Sequence, residues 1–224
     1  MTINSERKEI TAVVNRLLDV LSGMVSSQTG EAGYSLRRQI GDLRALYFTY
    51  LSDGTFATRL LDCFKIARTG GVTLPNFVRV REYLFTEVPT GDISITIVQA
   101  ATGFCLSSES QIISTTEFTR RDDVEAMIDV MKIAFDKARE LAADGFDSEG
   151  YKSLTFLAGA LTNHLATTAL KLPKTVKFKV ANSFPALVLS QRVYYDASRW
   201  EELVAENRVV NPAFCPRDIT GLSK

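Results

Sequence analysis

The chain has 224 residues, of which 46% are hydrophobic, and its 26 basic and 26 acidic side chains give a formal net charge of zero. A chain of this length and composition buries a sizeable core, which excludes a disordered tail. The balanced charge argues against a surface dominated by phosphate contacts, because such a surface needs an excess of Lys and Arg. We therefore expect no sequence-specific binding to nucleic acid.

Cysteine usage and the N-terminal sequence limit the class further. Cys63, Cys105 and Cys215 lie far apart and form no CxxC pair, so they predict buried reduced thiols instead of a zinc site or a disulfide framework. The N-terminal MTINSERKEI lacks the apolar segment of a secretion signal, and no window reaches the roughly 18 uninterrupted apolar residues of a membrane span. No membrane span is predicted, and we expect synthesis in a reducing cytoplasm.

A first helix is predicted over residues 4–25, where apolar side chains recur on one face. That face serves either as core or as a seam against another subunit. The segment SSQTGEAG, residues 26–33, is rich in small and turn-forming residues and predicts a linker. Residues 1–30 are therefore interpreted as an N-terminal helix and linker.

Residues 34–172 predict a helical body. Apolar residues recur at helical spacing in six segments, at 34–51, 56–67, 74–88, 92–113, 122–143 and 148–172. The segment 74–88 fits neither the helical nor the strand period cleanly and is interpreted as a helix. Ile93, Ile95 and Ile97 alternate as in a strand, but the length of their segment favours a helix. The last two helices are expected to be antiparallel neighbours joined by a short loop.

The last quarter of the chain combines strand and helix signals. The alternation in KTVKFKV, residues 174–180, predicts a strand, and residues 218–223 are a weaker candidate for a second strand. Between them, Ser183 is the predicted N-cap of one short helix, and Asp196 and Ser198 are the predicted cap residues at the start of another. Asn207 is expected to end the second helix in a left-handed conformation, and the prolines that follow force a turn. A hairpin of two short helices is the result.

A motif in this hairpin resembles a known module. The motif is R-x-Y-x-D-A-x-R-x-x-x-L-x-x-x-N followed by Pro, formed here by Arg192, Tyr194, Asp196, Ala197, Arg199, Leu203, Asn207 and Pro212. This order resembles the helical hairpin of a LysM-type module, in which one strand precedes the hairpin and another follows it. Tyr195 stands where the pattern usually has Gly.

A longer stretch resembles a phage protein family. The run PALVLSQRVYYDASRWEELVAENRVVNPAFCP is similar to the C-terminal end of the DNA circulation proteins of Mu-like tailed phages, which belong to the tail and baseplate. A weaker resemblance extends back to about residue 35. Asn211 stands where the phage family often has His. The family usually carries a further N-terminal β-rich domain, so we expect either a short homologue or a separate chain that supplies this domain.

The resemblance implies both a fold and a function. The fold is mainly α, with a helical bundle body followed by a small C-terminal strand–helix–helix–strand, LysM-like module over residues 174–224. The function is that of a structural virion protein of a contractile, Mu-like phage, a tail or baseplate component at the junction of tail tube and hub. The same resemblance implies assembly in the host cytoplasm, a trimeric or hexameric ring, and contacts with other baseplate, hub or tail tube proteins.

Two other functions stay open at this point. LysM-type modules often bind N-acetylglucosamine polymers, which makes a peptidoglycan-binding protein the alternative. One module without a secretion signal argues against that alternative, because modest glycan affinity usually requires repeated modules. The third possibility is a helical adaptor or regulator outside any virion.

No enzymatic activity is expected, because the sequence lacks paired carboxylates at useful spacing, metal-ligand clusters, phosphate-binding glycine loops and nucleophile elbows. No catalytic residue, metal ligand or cofactor is predicted, and His164, the single histidine, is interpreted as structural. A hairpin this small cannot bury all its large side chains, so seven residues are predicted to dock a partner subunit. They are Tyr194, Asp196, Arg199, Trp200, Asn207, Pro212 and Phe214. Replacing Arg199 or Phe214 by Ala is expected to leave stability near normal and to prevent assembly.

Overall fold

The computed structural model of this chain describes residues 3–25 and 30–223. Over these residues it has nine α-helices, one three-residue 3-10 helix and one two-stranded sheet near the C-terminus. The predicted fold class, a mainly α body followed by a small strand–helix–helix–strand module, is confirmed. None of the helices in the described ranges combines the length and apolarity that crossing a membrane would need.

The chain divides into two compact units. The helical unit comprises Met1–Thr116 and Asp129–His164, and the C-terminal unit comprises Glu117–Ile128 and Leu165–Lys224. Five helices lie wholly in the helical unit: α1 (Ile3–Val25), α2 (Glu31–Ser52), α3 (Phe56–Thr69), α4 (Leu74–Leu84) and α5 (Asp92–Ser114). Two other helices, α6 (Arg121–Asp144) and α7 (Ser148–Ala169), contribute residues to both units.

Glycine and proline set the boundaries between the first helices. Gly54 and Gly71 have φ angles of 74° and 86°, so each supplies a left-handed residue where α2 and α3 end. Pro75 lies in the first turn of α4, where its missing N–H costs no hydrogen bond. Helix α4 ends at Leu84 instead of the predicted residue 88, since the proline at 89 disfavours a helical residue before it.

The predicted linker, residues 26–33, extends too far at its C-terminal end. Helix α2 begins at Glu31, so the last three residues of the predicted linker are helical. Gly30, with a φ of 103°, precedes this helix. Residues 26–29 lie outside the described residues.

The apolar face of α1 is core of the helical unit and not an exposed seam. Its buried side chains, Val14, Leu17, Leu18 and Leu21, are at most 1% exposed, and α1 packs on α2, α4 and α5. Burying a side chain of this size is worth about 1.5–3 kcal/mol, so this face anchors the first helix firmly.

Aromatic side chains fill the middle of the same core. The ring centroid of Phe64 lies 6.4 Å from that of Phe77 and 6.3 Å from that of Phe104, which joins α3, α4 and α5. The segment 92–114, which contains the alternating isoleucines, is thus one continuous helix with a buried face, as its length predicted.

One buried ion pair interrupts this apolar core. The Nε of Arg81 on α4 donates to Oε1 of Glu109 on α5 at 3.0 Å, and the side chains are 9% and 0% exposed. Burial raises the pKa of the Glu109 carboxyl, and the Arg81 guanidinium opposes that rise.

The Cys105 thiol, also buried on α5, donates to the carbonyl oxygen of Phe77 at 3.3 Å. Burial also raises the pKa of Cys105, so this side chain is a neutral thiol.

The apolar stripe of α7 is shorter than predicted. Leu154, Leu161 and Leu165 are buried, but Leu170 is 75% exposed. The helical spacing of residues 148–172 predicts that Leu170 faces inward. This prediction is wrong, because α7 ends at Ala169 and the backbone leaves the helical period there. His164 is exposed on this helix.

Candidate functional site

The candidate site is the C-terminal unit, whose two strands frame a pair of short helices. Strand β1 (Thr175–Lys179) pairs antiparallel with β2 (Asp218–Leu222), with Thr175 opposite Leu222. Between them in sequence lie α8 (Ala186–Tyr194), the 3-10 helix (Ala197–Arg199) and α9 (Trp200–Glu206). The small core of this unit includes Leu189, Leu203 and Ile219.

The first turn of α6 fixes the start of β1 within this unit. The Thr175 amide donates to Oδ2 of Asp122 at 2.8 Å, and the Arg121 amide donates to the carbonyl oxygen of Pro173 at 3.0 Å. Hydrogen bonds from Thr175 lower the pKa of the Asp122 carboxyl. Asp122 is therefore ionised at neutral pH and terminates the sheet.

Helix α8 begins two residues later than predicted, at Ala186. Pro185 is its N-cap, and Ala186 donates its amide hydrogen to the carbonyl oxygen of Pro212 at 2.7 Å. Ser183 is not the N-cap: its hydroxyl donates to the carbonyl oxygen of Cys215 at 2.7 Å. The tertiary contact with the chain at 212–215 therefore replaces the local cap that the sequence suggested.

Asp196 caps the 3-10 helix between α8 and α9, whereas α9 itself has Arg199 at its N-cap position. The Oδ1 of Asp196 accepts hydrogen bonds from the amide of Ser198 at 2.9 Å and from the Ser198 hydroxyl at 2.6 Å. Tyr195, just before it, has a φ of 58° and is 86% exposed. Tyrosine thus occupies a left-handed position, at the place where the LysM-type pattern usually has Gly.

Tyr194 and Arg199 join the helical hairpin to β2. The Tyr194 hydroxyl accepts a hydrogen bond from the Leu222 amide at 3.1 Å, and the guanidinium carbon of Arg199 lies 3.9 Å from the centroid of the Tyr194 ring. Arg199 also donates to both carboxylate oxygens of Glu202, at 2.9 and 2.6 Å, and to the carbonyl oxygen of Leu222 at 3.2 Å. These hydrogen bonds to Glu202 raise the pKa of Arg199, which stays charged.

Gly221 makes room for this contact. A Cβ atom at position 221 would lie 2.5 Å from the Tyr194 hydroxyl and 3.1 Å from the Phe178 ring. Strand β2 consequently requires glycine at the point where the tyrosine crosses it.

Asn207 makes the second connection between the hairpin and β2. Its Nδ2 donates to the carbonyl oxygens of Leu203 and Thr220, at 2.8 and 2.7 Å, and its Oδ1 accepts from the Thr220 amide at 2.7 Å. The side chain therefore pairs with β2 as a neighbouring strand would. The predicted left-handed conformation is wrong for Asn207, whose φ is −98°, and belongs instead to Arg208, with a φ of 48°.

The other three predicted docking residues have less internal contact. Trp200 is partly buried against the small core. Pro212 is exposed, although its carbonyl oxygen supports α8. Phe214 is 71% exposed. Four of the seven predicted docking residues thus have defined contacts inside the unit, and Phe214 alone among the seven presents most of a large side chain to solvent.

Several exposed apolar side chains were not among the predicted docking residues. Leu187 is 55% exposed, Tyr195 is 86% exposed and Val210 is fully exposed. Because the Ala186 amide bonds to Pro212, the turn that carries Phe214 lies against the first turn of α8, which carries Leu187. The sequence contained one signal for this surface, namely a tyrosine where the pattern usually has glycine.

No cluster of three or more His, Cys, Asp or Glu side chains that could hold a metal ion occurs in the ranges 3–25 and 30–223. The chain matches no family model, and the search of curated proteins finds no significant match.

Proposed function

We propose that this protein is a structural component of a contractile, Mu-like phage tail or baseplate, and that it acts by protein–protein assembly at the junction of tail tube and hub. The observation that carries the proposal is the strand–helix–helix–strand order of the C-terminal unit. That order is what the resemblance to the phage family implies for this part of the chain.

The motif residues give the resemblance a physical basis. Tyr194, Arg199 and Asn207 each bond to the backbone of β2, and Asp196 caps the turn between the helices. These are the side chains that define the motif, so the motif describes the contacts that hold the module together. A chance match in sequence has no reason to select the residues that make these contacts.

The exposed side chains favour assembly over catalysis. Polar groups of the motif form hydrogen bonds within the unit, whereas Leu187, Tyr195 and Phe214 expose apolar area to solvent. Large aromatic side chains are over-represented among the residues that dominate protein–protein interfaces. A subunit of a trimeric or hexameric ring, flanked by other tail proteins in the virion, has partners that cover such a surface.

The test is to locate the protein in particles. Antibodies raised against the purified chain should label one end of the tail of phage particles released by the cells that encode it, seen by immunoelectron microscopy. Mass spectrometry of purified particles should find the chain at a fixed ratio to the other tail proteins. Particles that form and infect normally without the protein would contradict the proposal.

Glycan binding is the second candidate, because the same strand–helix–helix–strand order occurs in LysM-type modules. Pull-down on purified peptidoglycan separates the two functions. The assembly proposal expects the chain to remain in the unbound fraction, whereas a glycan-binding protein is retained and is released by soluble N-acetylglucosamine oligomers. Retention without any association with particles would favour the second candidate.

A further inference from the structure

The hydrogen bonds of the two-stranded sheet determine which backbone groups of β1 face outward. In an antiparallel pair, every second residue bonds to the partner strand, and the residues between them turn their N–H and C=O groups away. The Val180 amide donates to the carbonyl oxygen of Arg217 at 2.8 Å, directly beyond one end of the paired residues. Counting in twos from this bond, three residues of β1 face away from β2, namely Thr175, Lys177 and Lys179.

The outer edge of β2 is covered by the helical hairpin. Thr220 and Leu222 are outward-facing residues of this strand. The Asn207 side chain bonds to both backbone groups of Thr220. The Tyr194 hydroxyl accepts from the Leu222 amide, and Arg199 donates to the Leu222 carbonyl oxygen. The backbone groups of these two outward residues therefore have partners within the C-terminal unit.

The outer edge of β1 is covered at one end. There, Oδ2 of Asp122 accepts a hydrogen bond from the Thr175 amide at 2.8 Å. Within residues 3–25 and 30–223, no hydrogen bond reaches the backbone N–H or C=O of Lys177 or of Lys179. Both lysine side chains are exposed, and β2 alone among the described helices and strands packs extensively on β1. The edge is thus open beyond Asp122.

We propose that the outer edge of β1 binds an extended segment of a partner protein as a third strand, and that this segment alternates acidic and apolar residues. The added strand bonds to the N–H and C=O groups of Lys177 and Lys179, which is how extended peptides join exposed sheet edges. Side chains alternate between the two faces of a sheet. The acidic residues of the segment therefore lie beside the two lysines, and its apolar residues lie beside Val176, which is 37% exposed.

Charge identifies the partner segment as acidic. The Lys179 ammonium lies 3.9 Å from the Asp218 carboxylate, and these side chains are 84% and 83% exposed, so this weak pair leaves the lysine available. Opposite charges on neighbouring strands stabilise pairing, and like charges directly opposite destabilise it. A second copy of β1 is excluded as the occupant, because it would place lysine against lysine. Lysines on this edge thus reject unsuitable strands and favour an acidic one.

This contact is independent of the proposed role in a phage tail. It uses the edge of the sheet opposite to the one that Tyr194, Arg199 and Asn207 cover. Failure of the strand addition would leave the location of the protein in particles uncontradicted, and the reverse also holds.

An NMR titration of the isotope-labelled full chain tests the proposal. The probe is a capped synthetic peptide of about seven residues that alternates Glu and Val, the length of an ordinary strand. Near saturation, the amide signals of Lys177 and Lys179 should shift, and their hydrogen exchange should slow at least about fivefold, because the added strand accepts these hydrogen bonds. A matching peptide of alternating Lys and Val should shift neither signal. The absence of any change at these amides up to about 1 mM Glu–Val peptide overturns the proposal.

Two substitutions at position 177 separate the backbone contact from the charge. Lys177→Gln and Lys177→Pro both remove the ammonium, and only proline removes the outward N–H. Lys177→Gln should weaken peptide binding about twofold to fivefold, and Lys177→Pro at least about tenfold. Proline is tolerated on edge strands, and the N–H that it removes has no internal partner, so the variant should fold. Lys132→Gln, at an exposed position on α6, is the control and should leave binding unchanged.

The same variants define the outcomes against the proposal. Equal weakening by Lys177→Gln and Lys177→Pro would indicate attraction between charges without an added strand. Equal weakening by Lys132→Gln would indicate attraction to the chain as a whole, and either result overturns the proposal. If Lys177→Pro does not fold, hydrogen exchange at the Lys179 amide of the wild-type chain decides instead. Exchange that stays unchanged while the peptide binds contradicts an added strand.

Discussion

The two units of this protein are stabilised by different kinds of contact. The helical unit buries long apolar stripes, such as that of α1, and has one buried ion pair within them. The C-terminal unit has a small core and connects its elements by hydrogen bonds from Tyr194, Arg199 and Asn207 to the backbone of β2. A small unit buries too little area to be stable by burial alone, so directional contacts determine its fold. Substitutions that remove single contacts should show whether apolar burial or hydrogen bonding stabilises each unit.

The largest effect is expected in the helical unit, at the buried ion pair. Arg81→Met leaves the Glu109 carboxylate in the core without its partner, and one of its oxygens already has no hydrogen-bond partner. Breaking a buried pair in this way lowers the free energy of unfolding by about 3–5 kcal/mol. Urea denaturation followed by circular dichroism measures the change.

The matched control removes both charges. Arg81→Met combined with Glu109→Leu replaces the pair with apolar groups of similar size, which is often close to neutral for stability. We expect the double variant to recover most of the loss. If the double variant is no more stable than Arg81→Met alone, desolvation of the unpaired charge is not the cause of the destabilisation.

Asn207→Ala should produce the next largest effect, this time in the C-terminal unit. The substitution removes three hydrogen bonds and leaves the amide and carbonyl of Thr220 without this partner. We expect a loss of about 2–3 kcal/mol and faster hydrogen exchange at the Thr220 amide, measured by NMR. Asn211→Ala is the control, since Asn211 is exposed and accepts one bond from the Ala213 amide. Equal effects of the two variants would mean that pairing with β2 contributes nothing.

Arg199→Ala and Phe214→Ala form a contrasting pair. Both were expected from the sequence to leave the isolated protein stable. The contacts of Arg199 with Tyr194, Glu202 and Leu222 change that expectation, and we now expect Arg199→Ala to cost about 1–2 kcal/mol. Phe214→Ala should leave thermal stability unchanged, because its ring is 71% exposed, and should still prevent incorporation into particles. Thermal melts and particle purification distinguish the two outcomes.

Tyr195→Gly is expected to stabilise the protein slightly. Glycine adopts a φ of 58° without the steric cost that tyrosine has, and the exposed ring makes little internal contact. We expect a gain of about 0.5–1 kcal/mol, observed as a higher melting temperature. A lower melting temperature would show that the tyrosine ring supports the fold.

His164→Gln, a substitution at an exposed position on α7, should shift the free energy of unfolding by less than about 0.5 kcal/mol in the same assay.

Strong periodicity predicted most of the fold. Helices α1 and α6 each follow one apolar stripe for more than four turns, so local and tertiary preferences agree in them. The length of α5 outweighed its isoleucine alternation for the same reason. Predictions failed where a distant contact competes with a local one. Ser183 bonds to Cys215 instead of capping α8, and Asn207 pairs with Thr220 instead of adopting a left-handed conformation.

The candidate site was predictable in location but not in detail. The seven predicted docking residues all lie in this unit, and internal hydrogen bonds explain why four of them are present. The sequence did not indicate that Tyr194 and Arg199 use their polar groups on β2, because β2 is distant in sequence. The exposed aromatic side chains at Phe146 and Tyr195 were missed for a different reason. Their left-handed backbone is a property of the turn and is not encoded in apolar periodicity.

The pairing of β1 with β2 sets an order for the folding of the C-terminal unit. Lys179 and Asp218, paired at one end of the sheet, are about 40 residues apart in sequence, so their contact closes a long loop. Contacts between α8 and α9 are local and form sooner. The hairpin that carries Tyr194 and Asn207 therefore forms before β2 pairs with β1 and bonds to these two side chains. Until then β1 has an unpaired edge, so refolding at high protein concentration should favour exchange of β2 between chains.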